Sequence, residues 1–82
     1  MNTFVKHIAT IAAYPIKDEL GGGFRGVILN RDTKERIQSE VLSTLEAAKF
    51  WAQSEAHKSF KDYSLAALRR KGEYQANVWI KV

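Results

Sequence analysis

The sequence predicts an α+β fold: an antiparallel β-β-β meander, a helix with a short second helix behind it, and a C-terminal strand, with the helices on one face of the sheet. Three observations lead there. The first half is rich in β-branched and aromatic residues and is punctuated by glycine, asparagine and aspartate. At TLEAAKFWAQSEAHKSF the apolar positions switch to a helical period. The closing EYQANVWIKV alternates by twos, as a half-buried strand does.

Each element follows from its residues. TFVKHIATIAAY, residues 3 to 14, lacks turn residues and reads as the first strand. Pro15 ends it or sits at a sheet edge. KDELGGG makes a polar, glycine-rich connection. FRGVILNR is a second strand and NRDTK a turn, to which Asn30 and Asp32 are suited. ERIQSEVL alternates Ile37, Ser39 and Val41 against Gln38 and Glu40 and makes a third strand. Ser43-Thr44-Leu45-Glu46 fits a capping box, with the Ser43 hydroxyl accepting from the Glu46 amide. Behind it Leu45, Ala48, Trp51, Ala52 and Ala56 share one helix face and should pack on the sheet. SLAALRRKG admits two readings. As a short helix it is capped by Ser64, stapled from Tyr63 to Leu68, and ended by Arg69, Arg70, Lys71 and Gly72 where the dipole favours cations. Its rival is a fourth strand in a hairpin turning at RKGE. In the last strand Tyr74, Ala76, Val78, Ile80 and Val82 form one face, and Gln75, Asn77, Trp79 and Lys81 the other. That strand is expected to join the sheet beside the first or third strand.

The 82 residues make a single domain, 1–82. An apolar fraction of 45% supports one modest core and excludes intrinsic disorder. There is no cysteine, hence no disulfide framework and no thiolate metal site. The apolar run Ile8–Tyr14 is too short for a membrane span and lacks the flanks of a signal peptide. A cytoplasmic protein with no membrane partner is therefore expected, complete from its initial Met to its strand-like end. A net charge of +4 and a pI near 9.6 favour nucleic acid or an acidic protein surface, and also serve plain solubility.

GGGFRG, residues 21–26, spells G-x-G-x-x-G. A dinucleotide loop of that form needs a helix opening behind it, whose N-terminus faces the phosphates. Here β-branched FRGVILN follows, and no G-K-[ST] is present. The stretch reads as a hairpin turn, with Gly26 marking a bulge or a close backbone approach. Catalytic chemistry is equally absent from the pattern. His7 and His57 lack metal-ligand spacing, and no serine sits in an elbow. The carboxylate pairs Asp18/Glu19 and Asp32/Glu35 fall in expected turns. Neither an enzyme nor a metal or cofactor site is expected.

Binding is better represented. Phe50 falls on the polar side of the helix, either exposed or covered by the second helix or the loop at 60–63. Trp79 stands with Gln75 and Lys81 on the polar face of the last strand, either as a contact residue or packed by a cross-strand neighbour. Arg69, Arg70 and Lys71 complete this candidate partner-binding set. A second set, Arg25, Arg31, Lys34 and Arg36, offers cations to nucleic acid from the meander.

Three strands leading into STLEAAKFWA resemble the β-β-β-α DNA-binding domains of the plant AP2 type and the arm-binding domains of phage integrases. FRGVILN is similar to the first strand of the AP2-type domain. That resemblance implies a small DNA- or RNA-binding domain reading through its sheet. In size and layout the chain also resembles phage and mobile-element accessory proteins of the anti-CRISPR inhibitor type. That likeness implies a non-enzymatic protein-binding module that sterically blocks a host nucleic-acid machine, with a host protein or nucleoprotein complex as partner. Exposed sheet edges further allow a homodimer.

Overall fold

A computed structural model describes residues 4–17 and 21–81. It is an α+β fold with one five-stranded antiparallel sheet and one helix packed on it. The strands are β1 (Phe4–Ile16), β2 (Gly23–Asn30), β3 (Arg36–Gln38), β4 (Tyr63–Arg70) and β5 (Glu73–Lys81), and α1 spans Leu45–Ser59. Their order across the sheet is β3-β2-β1-β5-β4. β1 is the long central strand, flanked by β2 over Ala9–Ile16 and by β5 over Phe4–Ala13. Pro15 lies beyond the β5 pairing, so its missing N–H faces no neighbour on that side.

The sheet is wider than a three-stranded meander with a lone terminal strand. The difference lies in residues 63–70, which form β4 and not a second helix. β4 pairs with β5 without interruption, from Tyr63↔Ile80 to Arg70↔Glu73. A helix of that length is marginal on its own in water, and it would leave the outer edge of β5 unpaired. Ser64 therefore caps nothing and Tyr63 does not staple onto Leu68. Arg69 and Arg70 stand at a strand end, and Lys71 with Gly72 (φ 75°) makes the hairpin turn.

Two smaller corrections concern the third strand and the cap. Regular pairing covers only Arg36–Gln38 of ERIQSEVL. At the next residue the buried Ser39 hydroxyl accepts the Gly26 amide at 2.9 Å, so a side chain takes the place of a ladder carbonyl. Pairing resumes at one bridge, where Phe24 and Leu42 exchange hydrogen bonds of 2.8 and 2.7 Å. The helix cap is Thr44, not Ser43: Thr44 is extended, and its hydroxyl accepts from the Ala47 amide at 3.0 Å.

The core lies between α1 and one face of the sheet. Ala52 and Ala56 of the helix are fully buried against Ala9, Ile11, Ile28, Ala76 and Val78, and Ala48 is fully buried over Gly26. These are mostly small residues, so helix and sheet approach closely. Gly26 marks the tightest point, since a Cβ there would stand 2.6 Å from the Ala48 carbonyl oxygen and 2.7 Å from Trp51. The molecule measures 50 × 24 × 16 Å, and its thin dimension holds one sheet and one helix layer. No helix of the described residues is long and apolar enough to cross a membrane.

GGGFRG behaves as a turn leading into a strand. Gly21 and Gly22 adopt φ of 114° and 88°, and β2 begins at Gly23. The carboxylate pair Asp18/Glu19 and the final Val82 lie outside the described residues.

Candidate binding surface

Strand alternation fixes which side chains face away from α1. With Ile11, Ile28, Ala76 and Val78 under the helix, their neighbours project to the opposite face. That uncovered face carries Thr10, Ala12 and Tyr14 from β1, and Arg25, Val27 and Leu29 from β2. Arg36 and Gln38 of β3 extend it at one edge. Gln75, Asn77 and Trp79 of β5, then Ser64, Ala66 and Leu68 of β4, complete it on the other side. Lys81 follows Trp79 on this face and is paired with Asp62, and Glu73 stands at its hairpin end.

His7 reaches this face through a break in register. Simple parity would set it beside Ala9, Ile11 and Ala13 under the helix. The β1–β5 register shifts between His7 and Ala9, where Ile8 is the extra residue and is buried. The bulge turns His7 toward Trp79, its cross-strand partner. The two rings stack with centroids 5.1 Å apart and planes 22° from parallel. Thr10 Oγ1 lies 3.3 Å from His7 Nε2 and 3.5 Å from Asn77 Oδ1, which ties this cluster to the centre of the sheet.

The cations divide between this face and the molecule's ends. Arg25 stands on the face beside Tyr14, and its Nε is sealed from solvent with no hydrogen-bond partner among the described residues. Arg36 donates from Nη1 to Gln38 Oε1 at 3.0 Å along the β3 edge. Arg31 and Lys34 are exposed in the β2–β3 turn, not on a strand. The Asn30 side chain shapes that turn by accepting the Asp32 and Thr33 amides at 2.9 and 3.0 Å. Nearby, Lys6 pairs with Asp32 at 2.7 Å. Lys81 pairs with Asp62 at 2.8 Å beside the start of β4. Arg69, Arg70 and Lys71 gather at the far end, around the β4–β5 turn.

Phe50 is 72% exposed, so neither a second helix nor the loop at 60–63 covers it. It stands over a shallow depression lined by Glu46, Ala47, Lys49 and Gln53 on the outer side of α1. The sheet lies between it and Trp79, so the two aromatics belong to different surfaces. Lys49 and Gln53 are tied to Tyr74, by a cation–π contact of 5.0 Å and a hydrogen bond of 3.1 Å.

The structure thus sets Trp79, Gln75, Arg25 and Arg36 on one face, with Trp79 at the His7 end of β1 and Arg25 at its Tyr14 end, and separates that face from Phe50, Arg31 and Lys34. Sequence reasoning missed His7, Thr10 and Tyr14. Parity within β1 points to Thr10 and Tyr14, whereas His7 depends on a bulge that no local pattern announces. Among the described residues no three histidine, aspartate or glutamate side chains cluster as metal ligands would. The chain matches no protein-family model, no curated protein and no solved structure.

Proposed function

We propose that the protein is a non-enzymatic binding module that engages a protein partner through the uncovered face of its sheet. The observation that carries this reading is the make-up of that face. Trp79 stacked on His7 stands toward one end, the exposed Leu29 with Ala12, Gln75 and Asn77 lies nearer the middle, and Arg25 and Arg36 lie toward the margins. An aromatic pair, apolar and amide side chains and arginines, with few carboxylates, is the composition of a protein–protein contact surface. The cations suit an acidic patch on the partner. In the finer form of the proposal the partner is a component of a host nucleic-acid machine, such as a CRISPR–Cas complex. The module would inhibit it by covering an assembly or nucleic-acid-binding surface, as phage and mobile-element accessory proteins do.

A second reading is favoured by one feature. Trp79, Arg25 and Arg36 share one face, and an aromatic and cations spaced along a sheet also suit a single nucleic-acid strand that crosses it.

Capture from host lysate with and without nuclease separates the two. A protein retained after nuclease treatment, and lost with Trp79→Ala but kept with Phe50→Ala, supports the protein-binding reading. Circular dichroism of each variant checks that the fold survives. Loss of all captured material on nuclease treatment, with affinity falling steeply as salt rises, moves the assignment to nucleic acid. Loss of the partner with Phe50→Ala alone would move the contact surface to α1.

A further inference from the structure

The two edges of the sheet are built differently. β3 is three residues long and ends where Ser39 diverts its hydrogen bonding, so it offers little to an incoming strand. β4 is eight residues long and pairs with β5 without a register shift. It contains no proline, and its middle, Leu65-Ala66-Ala67-Leu68, carries no charge. Ala66, Ala67 and Leu68 are exposed. α1 packs chiefly on β1 and β2, and it reaches β4 through an edge-on meeting of His57 and Tyr63 on the covered face. Short length, edge charges, proline and bulges are the usual means of blocking edge pairing, and the middle of β4 has none of them.

We propose that β4 pairs antiparallel with β4 of a second copy, joining two sheets into one of ten strands. A strand that pairs with itself is self-complementary about a two-fold axis, as closed dimers require. In an antiparallel ladder, directly opposed residues project to the same face, so the axis passes through a residue and not between two. With Ala66 on the axis, Leu65 faces Ala67 of the second copy and Ser64 faces Leu68. The apolar middle then meets itself, and the small alanines leave room at the centre. An axis at Ala67 would instead set Leu65 opposite position 69, a basic residue. The Ala66 arrangement keeps both helices on one side and makes the two uncovered faces continuous.

The chain has no cysteine, so single cysteines report the register directly. Light scattering of the wild type should give twice the 9.3 kDa chain mass. Under mild oxidation Ala66→Cys should form a covalent dimer, since residues on the axis bring their Cβ atoms to about 5 Å. Ser64→Cys and Leu68→Cys should not form one alone, but should cross-link when mixed. Ala66→Lys sets two ammonium groups against each other and should return the protein to the chain mass with its circular dichroism unchanged. A wild type of chain mass at its highest soluble concentration overturns the proposal. So does a dimer that survives Ala66→Lys, or one cross-linked through Ser64→Cys alone. A monomer whose β4 amides become protected only when a partner protein is added would give this edge to a foreign strand, and also overturns it.

Discussion

Gly26 is where a single hydrogen atom decides how helix and sheet meet. It faces α1 from β2, and its missing side chain lets the Ala48 carbonyl and the Trp51 ring approach the strand. Backbone and a packed ring cannot both yield, so Gly26→Ala should lift the helix and cost about 1–3 kcal/mol. Urea unfolding followed by tryptophan fluorescence should show the midpoint falling with an unchanged slope. A variant as stable as the wild type would mean that α1 slides freely over the sheet. The close approach was legible in the sequence, because a lone glycine inside a strand pattern signals a bulge or a near neighbour. The role of His7 was not. Its side chain depends on one extra residue in β1, and a shift of one residue exchanges the faces of a strand.

At the scale of elements, α1 was the most readable part. Its apolar stripe Ala48, Trp51, Ala52 and Ala56 lies against the sheet as the period predicts. Its start was misread by one residue, because Ser43 and Thr44 are both good caps and Glu46 completes a box only for Ser43. The Thr44 hydroxyl holds the Ala47 amide, so Thr44→Ala should cost about 1 kcal/mol, whereas Ser43→Ala should change stability by only a few tenths. Thermal melts of the two variants would separate the caps, and equal losses would restore Ser43 to a capping role. β4 was the least readable element. Leu, Ala and Arg favour a helix locally, and paired alanines blur the alternation that would mark a strand. The deciding term is non-local: β5 offers a full ladder only to an extended partner, and the Gly72 turn delivers one. For the same reason three cations expected at a helix end belong to a hairpin.

At the scale of the whole molecule, the core is thin, and sheet and helix stand or fall together. Among the described residues most fully buried positions are alanines, and Ile11 and Val78 are the largest side chains sealed from solvent. Ile11 lies in the central strand between Ile28 and Ala76, within the cluster that includes Ala52 and Ala56 of α1. Truncating it therefore removes apolar contact from three strands and the helix at once. Ile11→Ala should cost about 2–5 kcal/mol and Ile11→Val about 0.5–1.5. A chain of this length commands a total of only about 4–12 kcal/mol, so the alanine variant can empty the native state while the valine variant remains measurable. The two tryptophans flank the layer under test, Trp51 on the helix side and Trp79 on the uncovered face. Helical circular dichroism and tryptophan fluorescence should therefore lose their structure at one common denaturant concentration in Ile11→Val, lower than in the wild type. Separate transitions would mean that α1 detaches before the sheet unfolds. In that case the uncovered face could persist without its helix, and binding through Trp79 would outlast the loss of helical signal.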